Sequence, residues 1–124
     1  MSAPNIVNAS TILGKTAALS LGNTSQTVLL TNAASSSKVL KINNIIISND
    51  DGSSSADITI SYHDAAAGGG TAFKVAHTVA VAEDSTLVLL DKTSGIYLEE
   101  DTSISATASV GGDLDVICSY EEIS

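Results

Sequence analysis

Apolar and polar side chains alternate along most of this chain with the two-residue period of a β-strand. The clearest run is Thr102 to Val110. Ile104, Ala106, Ala108 and Val110 share one parity, and Ser103, Ser105, Thr107 and Ser109 share the other. Successive strand side chains point to opposite faces, so this run predicts an apolar inner face and a hydroxyl-lined outer one. Leu114 to Tyr120 repeats the pattern with Leu114, Val116, Cys118 and Tyr120. Phe73 to Val81 does so with Phe73, Val75, His77, Val79 and Val81, and Thr16 to Leu21 with Ala17, Leu19 and Leu21. Shorter apolar runs at Ser25–Thr31, Thr86–Leu90 and Ile96–Leu98 read as further strands, and Asn5–Leu13 as a weak one ended by Gly14.

The stretch from Lys38 to His63 carries the strongest local signal. Its first half, KVLKINNIIISND, is long and rich in β-branched residues, and its second half, ADITISYH, alternates cleanly. Asn49-Asp50-Asp51-Gly52 lies between them and favours chain reversal, because Asn, Asp and Gly accept left-handed backbone angles. The expectation is a paired hairpin at the centre of the fold. Its first strand does not keep one parity: Leu40 and Ile42 fall on one side, Ile45 and Ile47 on the other, with Asn43-Asn44 between. Either both faces are buried, one of them against a partner, or a bulge at the asparagines turns the strand.

No segment repeats at helical spacing, and turn signals recur every ~8–12 residues. The predicted class is all-β: an antiparallel β-sandwich, jelly-roll or Ig-like, of about 8–10 short strands. Residues 1–12 are expected to form an N-terminal arm or first strand, with Pro4 opposing regular pairing, and residues 13–124 a single sandwich domain. Asp64 to Gly70, DAAAGGG, is expected to be an exposed flexible loop, because consecutive glycines are costly to order. TVLLTNAASSSKVLKI and TLVLLDKTSGIYLEE echo one another as two apolar runs about a polar loop, which suggests a pair of similar hairpins.

Charge narrows the function classes. The net charge is −9, all five cations are lysines, and arginine is absent. Nucleic-acid binding requires clustered cations that displace counterions from phosphates, so it is excluded, and attraction to an anionic membrane is equally disfavoured. The stretch MSAPNIVNAS has neither the basic region nor the apolar run of a secretory leader, and no stretch has the ~20 apolar residues of a membrane helix. The single cysteine, Cys118, has no internal disulfide partner and reads as a small buried hydrophobe.

Candidate chemistry is sparse. His77 reads as a packed or interface histidine. His63 ends a strand beside Asp64, which offers a pair for proton transfer, but no GxSxG, HExxH or CxxC motif accompanies it. Acidic clusters stand at Asp50-Asp51, Glu83-Asp84, Glu99-Glu100-Asp101, Asp113 with Asp115, and Glu121-Glu122. None has calcium-loop spacing, so a calcium site would require several loops to converge at one end of the sandwich. Glycan stacking would fall to Tyr97 and Tyr120, as the chain has no Trp. No catalytic, cofactor-binding or metal-ligating residue is therefore assigned, no cofactor is expected, and an enzyme is the least expected class.

The segments Val79-Ala80-Val81-Ala82, Glu83-Asp84-Ser85-Thr86-Leu87, Leu89-Leu90-Asp91-Lys92, Ile96-Tyr97-Leu98-Glu99-Glu100 and Ser119-Tyr120-Glu121-Glu122-Ile123, together with KVLKINNIIISNDDG, resemble small virion structural proteins of tailed bacteriophages, of marine or cyanophage type. The resemblance runs from Val28 onward. It implies a β-sandwich assembled on the particle and carries no catalytic residues. The expected function is a capsid decoration or cement protein on the head exterior. Its partners would be the major capsid protein and other virion proteins. A homo-oligomer, most simply a trimer, is expected, made in the host cytoplasm. The alternatives are a neck, tail or fibre-attachment protein and a glycan- or host-binding module displayed on the virion.

Overall fold

The structure, a computed structural model, describes residues 4–124. Met1 to Ala3, the start of the expected arm, lie outside the described residues. Nine strands follow one another: β1 (Ile12–Leu21), β2 (Thr27–Asn32), β3 (Val39–Asn49), β4 (Ala56–His63), β5 (Ala72–Val81), β6 (Thr86–Leu90), β7 (Ile96–Leu98), β8 (Thr102–Ala108) and β9 (Leu114–Ile123). They form two antiparallel sheets. Sheet one runs β1-β9-β3-β6, with β7 beside the first half of β3 and β6 beside its second half. Sheet two runs β2-β8-β4-β5. The chain changes sheet at six of its eight strand connections. This nested order of two interleaved Greek keys is a jelly roll, which settles the choice against the Ig-like alternative.

The inward parity of both sheets fills the core. Ile42, Ile45 and Ile47 of β3, Ile58 and Ile60 of β4, Ile104 and Ala106 of β8, and Leu114, Val116 and Cys118 of β9 are fully buried. Each of the Ile, Leu and Val side chains among them contributes about 1.5–3 kcal/mol through loss of apolar surface to water. Burial also pushes the Cys118 thiol up to about 11, so it stays a neutral, unreactive hydrophobe.

Several expectations change in the folded chain. β3 and β4 do not pair: β3 bonds to β9, β6 and β7, whereas β4 bonds to β5 and β8. The Asn49–Gly52 reversal is real, but it carries the chain across the core into the opposite sheet, because each long apolar strand has a better partner elsewhere. The parity break in β3 is a bulge between Ile42 and Asn44. It returns Leu40, Ile42, Ile45 and Ile47 to one buried face, so the strand is not apolar along both faces, and Ile46 is the isoleucine that turns outward. Gly14 does not end a strand; β1 runs through it, and Ile6–Asn8 form a 3-10 turn instead. The two echoing segments are not hairpins, since β2 and β3 lie in different sheets and β6 and β7 both pair with β3. Bulges in β5 break its parity, and His77 is exposed there. Val110 lies beyond β8 and is also exposed.

Two buried asparagines tie the sheets together at opposite ends. Asn49, at the end of β3, donates from Nδ2 to the carbonyls of Val81 on β5 (2.9 Å) and Ser54 (3.0 Å), and its Oδ1 accepts from the Asp51 N–H. Asn32, at the end of β2, donates to Leu98 O on β7 (3.0 Å) and Lys38 O (2.9 Å). Removing either amide strands buried carbonyls, which costs about 1–3 kcal/mol. Asn49→Ala and Asn32→Ala are each expected to lower the unfolding free energy by that amount in urea titration. Asn43→Ala, whose side-chain oxygen is unpaired, is expected to cost less than either.

Candidate interaction surfaces

The topology sends the β1–β2, β3–β4, β5–β6 and β8–β9 connections to one end of the sandwich. They are stitched together by backbone hydrogen bonds: Asp50 N–H to Asp113 O (2.8 Å), Asp84 N–H to Asp51 O (3.1 Å), Asn49 N–H to Ser85 O (2.9 Å) and Gly112 N–H to Leu21 O (2.8 Å). A Cβ on Gly111 would meet Gly22 O at 2.7 Å, so this close approach of two turns requires glycine. Asp50, Asp51, Asp57, Glu83, Asp84, Asp113 and Asp115 all lie at or near this acidic pole, half of the chain's fourteen carboxylates and none of its lysines. The convergence that a calcium site would need therefore occurs. Yet among the described residues no three His, Cys, Asp or Glu side chains are grouped so as to hold a metal ion. The carboxylates meet one another instead. A hydrogen bond with Asp115, and then its charge, hold the Asp50 carboxyl above the usual range. Hydrogen bonds from the backbone and hydroxyl of Ser53 hold Asp51 below it.

The other pole carries Lys15, Lys38, Lys41 and Lys74 together with Asp64, Glu99, Glu100, Asp101, Glu121 and Glu122. Glu122 on β9 is 8% exposed and is ion-paired to both Lys15 of β1 and Lys38 ahead of β3. The two lysines hold its carboxyl below the ordinary range. This clasp joins the chain's first strand, its last strand and the β2–β3 connection. The C-terminal Ser124 adds to it, pairing with Thr11 in both directions at 2.9 Å.

The outer face of sheet two is polar but not bare. His63, Ser61, Ser103 and Ser105 are all buried there, although their parity predicts solvent-facing positions. The segment expected to be a free loop covers them. Ser103 Oγ donates to Ala65 O (2.8 Å) and accepts from Gly68 N–H (2.9 Å). Ala66 N–H reaches Asp101 Oδ1 (3.0 Å) and Ala67 N–H reaches Thr31 Oγ1 (3.0 Å). His63 Nε2 lies 2.7 Å from Ser105 Oγ, while its Nδ1 has no partner. Asp64 does not orient this histidine, because its Oδ1 accepts from Thr71 N–H at 2.6 Å. A nucleophilic serine needs access and a base that is itself oriented. Ser105 has neither, so the pair serves as a buried polar tie. Tyr97 is exposed on the outer parity of sheet one, whereas Tyr120 packs against the core, so the two rings form no common stacking platform.

The outer face of sheet one differs. Its register places Ala18 beside Ile117, Ile117 beside Ile46, and Ile46 beside Val88. This forms an apolar row across β1, β9, β3 and β6 on the solvent side. Ile117 is 41% and Val88 57% exposed. Rows of Ser20, Asp115, Ser48 and Thr86 and of Thr16, Ser119 and Asn44 flank it. Sequence parity hid this row, because the bulge in β3 shifts the phase of Ile46. A second apolar group, Ile6, Val7, Ile12 and Leu13, is exposed along the N-terminal segment.

No protein-family model matches this chain, and no curated protein matches it. Solved structures do. A chain of the disulfide-linked pili that form Bacillus endospore appendages superposes with a TM-score of 0.53 at 13% identity, over 100% of this chain and 96% of that one. A chain of the acid-stable capsid of Helicobacter pylori bacteriophage KHP30 gives a TM-score of 0.54 at 7% identity, over 94% and 90%. A chain of the Ralstonia phage GP4 capsid covers 98% of this one at 9% identity, but with a TM-score of 0.40 it carries no argument. At these identities the chain shares the fold of the first two, a β-sandwich.

The two poles respond oppositely to pH. A carboxyl held low in the fold contributes stability above its unfolded pKa and loses it as pH falls through its folded value; one held high costs stability at neutral pH. Glu122→Gln is therefore expected to lower the melting temperature at pH 7 and to match the parent in acid. Asp115→Asn is expected to raise it at pH 7, with the gain vanishing once Asp50 is protonated. Thermal melts of both variants from pH 3 to 8 check the signs.

Proposed function

We propose that this chain is a structural protein of a bacteriophage particle, specifically a decoration or cement protein that binds the major capsid protein on the outside of the head. The observation that carries this reading is the architecture it shares, over nearly the whole of both chains, with a chain of a phage capsid. The phage-like segments from Val28 onward support it. So does the surface: an uncharged apolar row on sheet one, exposed apolar residues on the N-terminal segment, and an acidic pole suited to face solvent. In this reading the apolar row and the N-terminal segment dock on the shell. Binding favours the assembled lattice over free subunits by mass action. The likeness to a pilus chain favours a second reading, a subunit of a neck, tail or fibre assembly.

Purified protein added to heads that lack it is expected to bind them and to restore surface density seen by electron cryo-tomography. Ile117→Asp with Val88→Asp is expected to weaken that binding by at least about tenfold, which corresponds to 1.4 kcal/mol. Heads that neither lose density without the protein nor bind it when added, with the defect confined to tails, would establish the second reading instead.

A further inference from the structure

A two-sheet sandwich has four lateral edges, and three of them are visibly protected here. The β2 edge is bulged between Val28 and Leu30 and has the Ala66–Gly68 turn anchored on it through Thr31. The β5 edge has two register shifts, and Thr78 sits at a positive φ of 48°. The edge beyond β3 is divided between the five-residue β6, itself shifted in register, and the three-residue β7. Bulges and short strands blunt an edge by breaking the regular row of free N–H and C=O groups. The fourth edge has none of this. β1 is ten residues long, and its register with β9 is unbroken from Ile12 to Leu21. It contains no proline, and its outer side has no partner among the described residues. Its one charged residue, Lys15, is already neutralised by Glu122.

We infer that β1 pairs antiparallel with β1 of a second copy, joining two sheets one across a two-fold axis near Thr16 and Ala17. An unbroken, unblunted edge suits a second copy of the same strand, and charge selects its direction. β1 runs from the mixed-charge pole to the acidic pole. An antiparallel partner therefore sets each lysine-free acidic pole beside the other copy's mixed-charge pole, the less repulsive arrangement, whereas a parallel partner would align the two lysine-free acidic ends. Within the strand pair itself, a two-fold on Thr16 or Ala17 places Lys15 opposite Ala17 or Leu19 rather than its own copy. An isologous pair of this kind is closed, so it ends at two chains. It takes the place of the three-fold assembly expected from the sequence, and it does not rest on the virion reading.

Sedimentation of the full chain at about 100 µM, which populates a dimer of micromolar affinity, is expected to give twice the monomer mass. Thr16→Asp with Ala18→Asp, both exposed on the outer parity, is expected to give monomers with an unchanged strand circular dichroism spectrum. Ile117→Asp, on the sheet face rather than the edge, is expected to leave the dimer intact. Hydrogen exchange of the parent chain needs no variant: the amides of residues 12–21 are expected to slow as concentration rises. A monomer or a trimer at that loading, a dimer that survives the double aspartate variant, or concentration-independent exchange in β1 would overturn the proposal.

Discussion

The sandwich is held shut at each end by one buried asparagine. A jelly roll repeatedly moves its chain between sheets, and every crossing leaves strand-end carbonyls with no ladder partner. Asn49 and Asn32 satisfy those carbonyls across the gap, the first from sheet one to Val81 and the second from sheet two to Leu98. An amide has two donors and an acceptor on one short side chain. Asn can therefore hold two carbonyls and also fix the turn that follows, as Asn49 does through Asp51 N–H. The core between the sheets is apolar and non-directional, so it sets no register by itself. These two ties sit where the chain changes layer and define how the sheets face each other.

Charge separation follows from the same crossings. Connections at one end carry Asp and Glu with no lysine among them, whereas at the other end the lysines of strand starts offset part of the charge of Asp64, Glu99, Glu100, Asp101, Glu121 and Glu122. The poles are built differently in consequence. At one, Asp50 and Asp115 share a hydrogen bond while one of them holds a proton and repel when both are ionised. At the other, Glu122 is enclosed by two lysines and ties the chain's two ends together. The molecule is a dipole despite its large net charge, and its least repulsive approach to a second copy is antiparallel.

Sheet two shows how a polar face becomes interior without changing its composition. Ser103, Ser105, His63 and Ser61 stand on the outer parity, and a glycine-bearing segment crosses over them. Gly68 and Gly70 adopt positive φ there, which lets the segment turn tightly enough for its amides to reach Ser103 and Thr31. The covered hydroxyls bond to backbone groups, which is what allows them to be buried at all. Sheet one has no such cover, and its apolar row stays open.

Much of the architecture was legible in the residues. Two-residue periodicity located the strands because a pleated strand buries one face, and that rule is local. The all-β class, the turn at Asn49–Gly52 and the buried Cys118 follow from it. What stayed hidden depends on which strands become neighbours. The apparent hairpin of β3 and β4 dissolves because β9 and β8 are better partners, a choice between residues far apart in sequence. The bulge at Asn43 shifts parity by one residue and so decides that Ile42 and Ile45 share a face while Ile46 turns outward. The free edge of β1, the apolar row, the acidic pole and the cover over His63 all arise from juxtaposition. The sequence by itself determined the elements and the sign of the charge, through local sterics and periodicity; the tertiary structure alone decided the surfaces, because a surface is made by residues that meet only when the chain has folded.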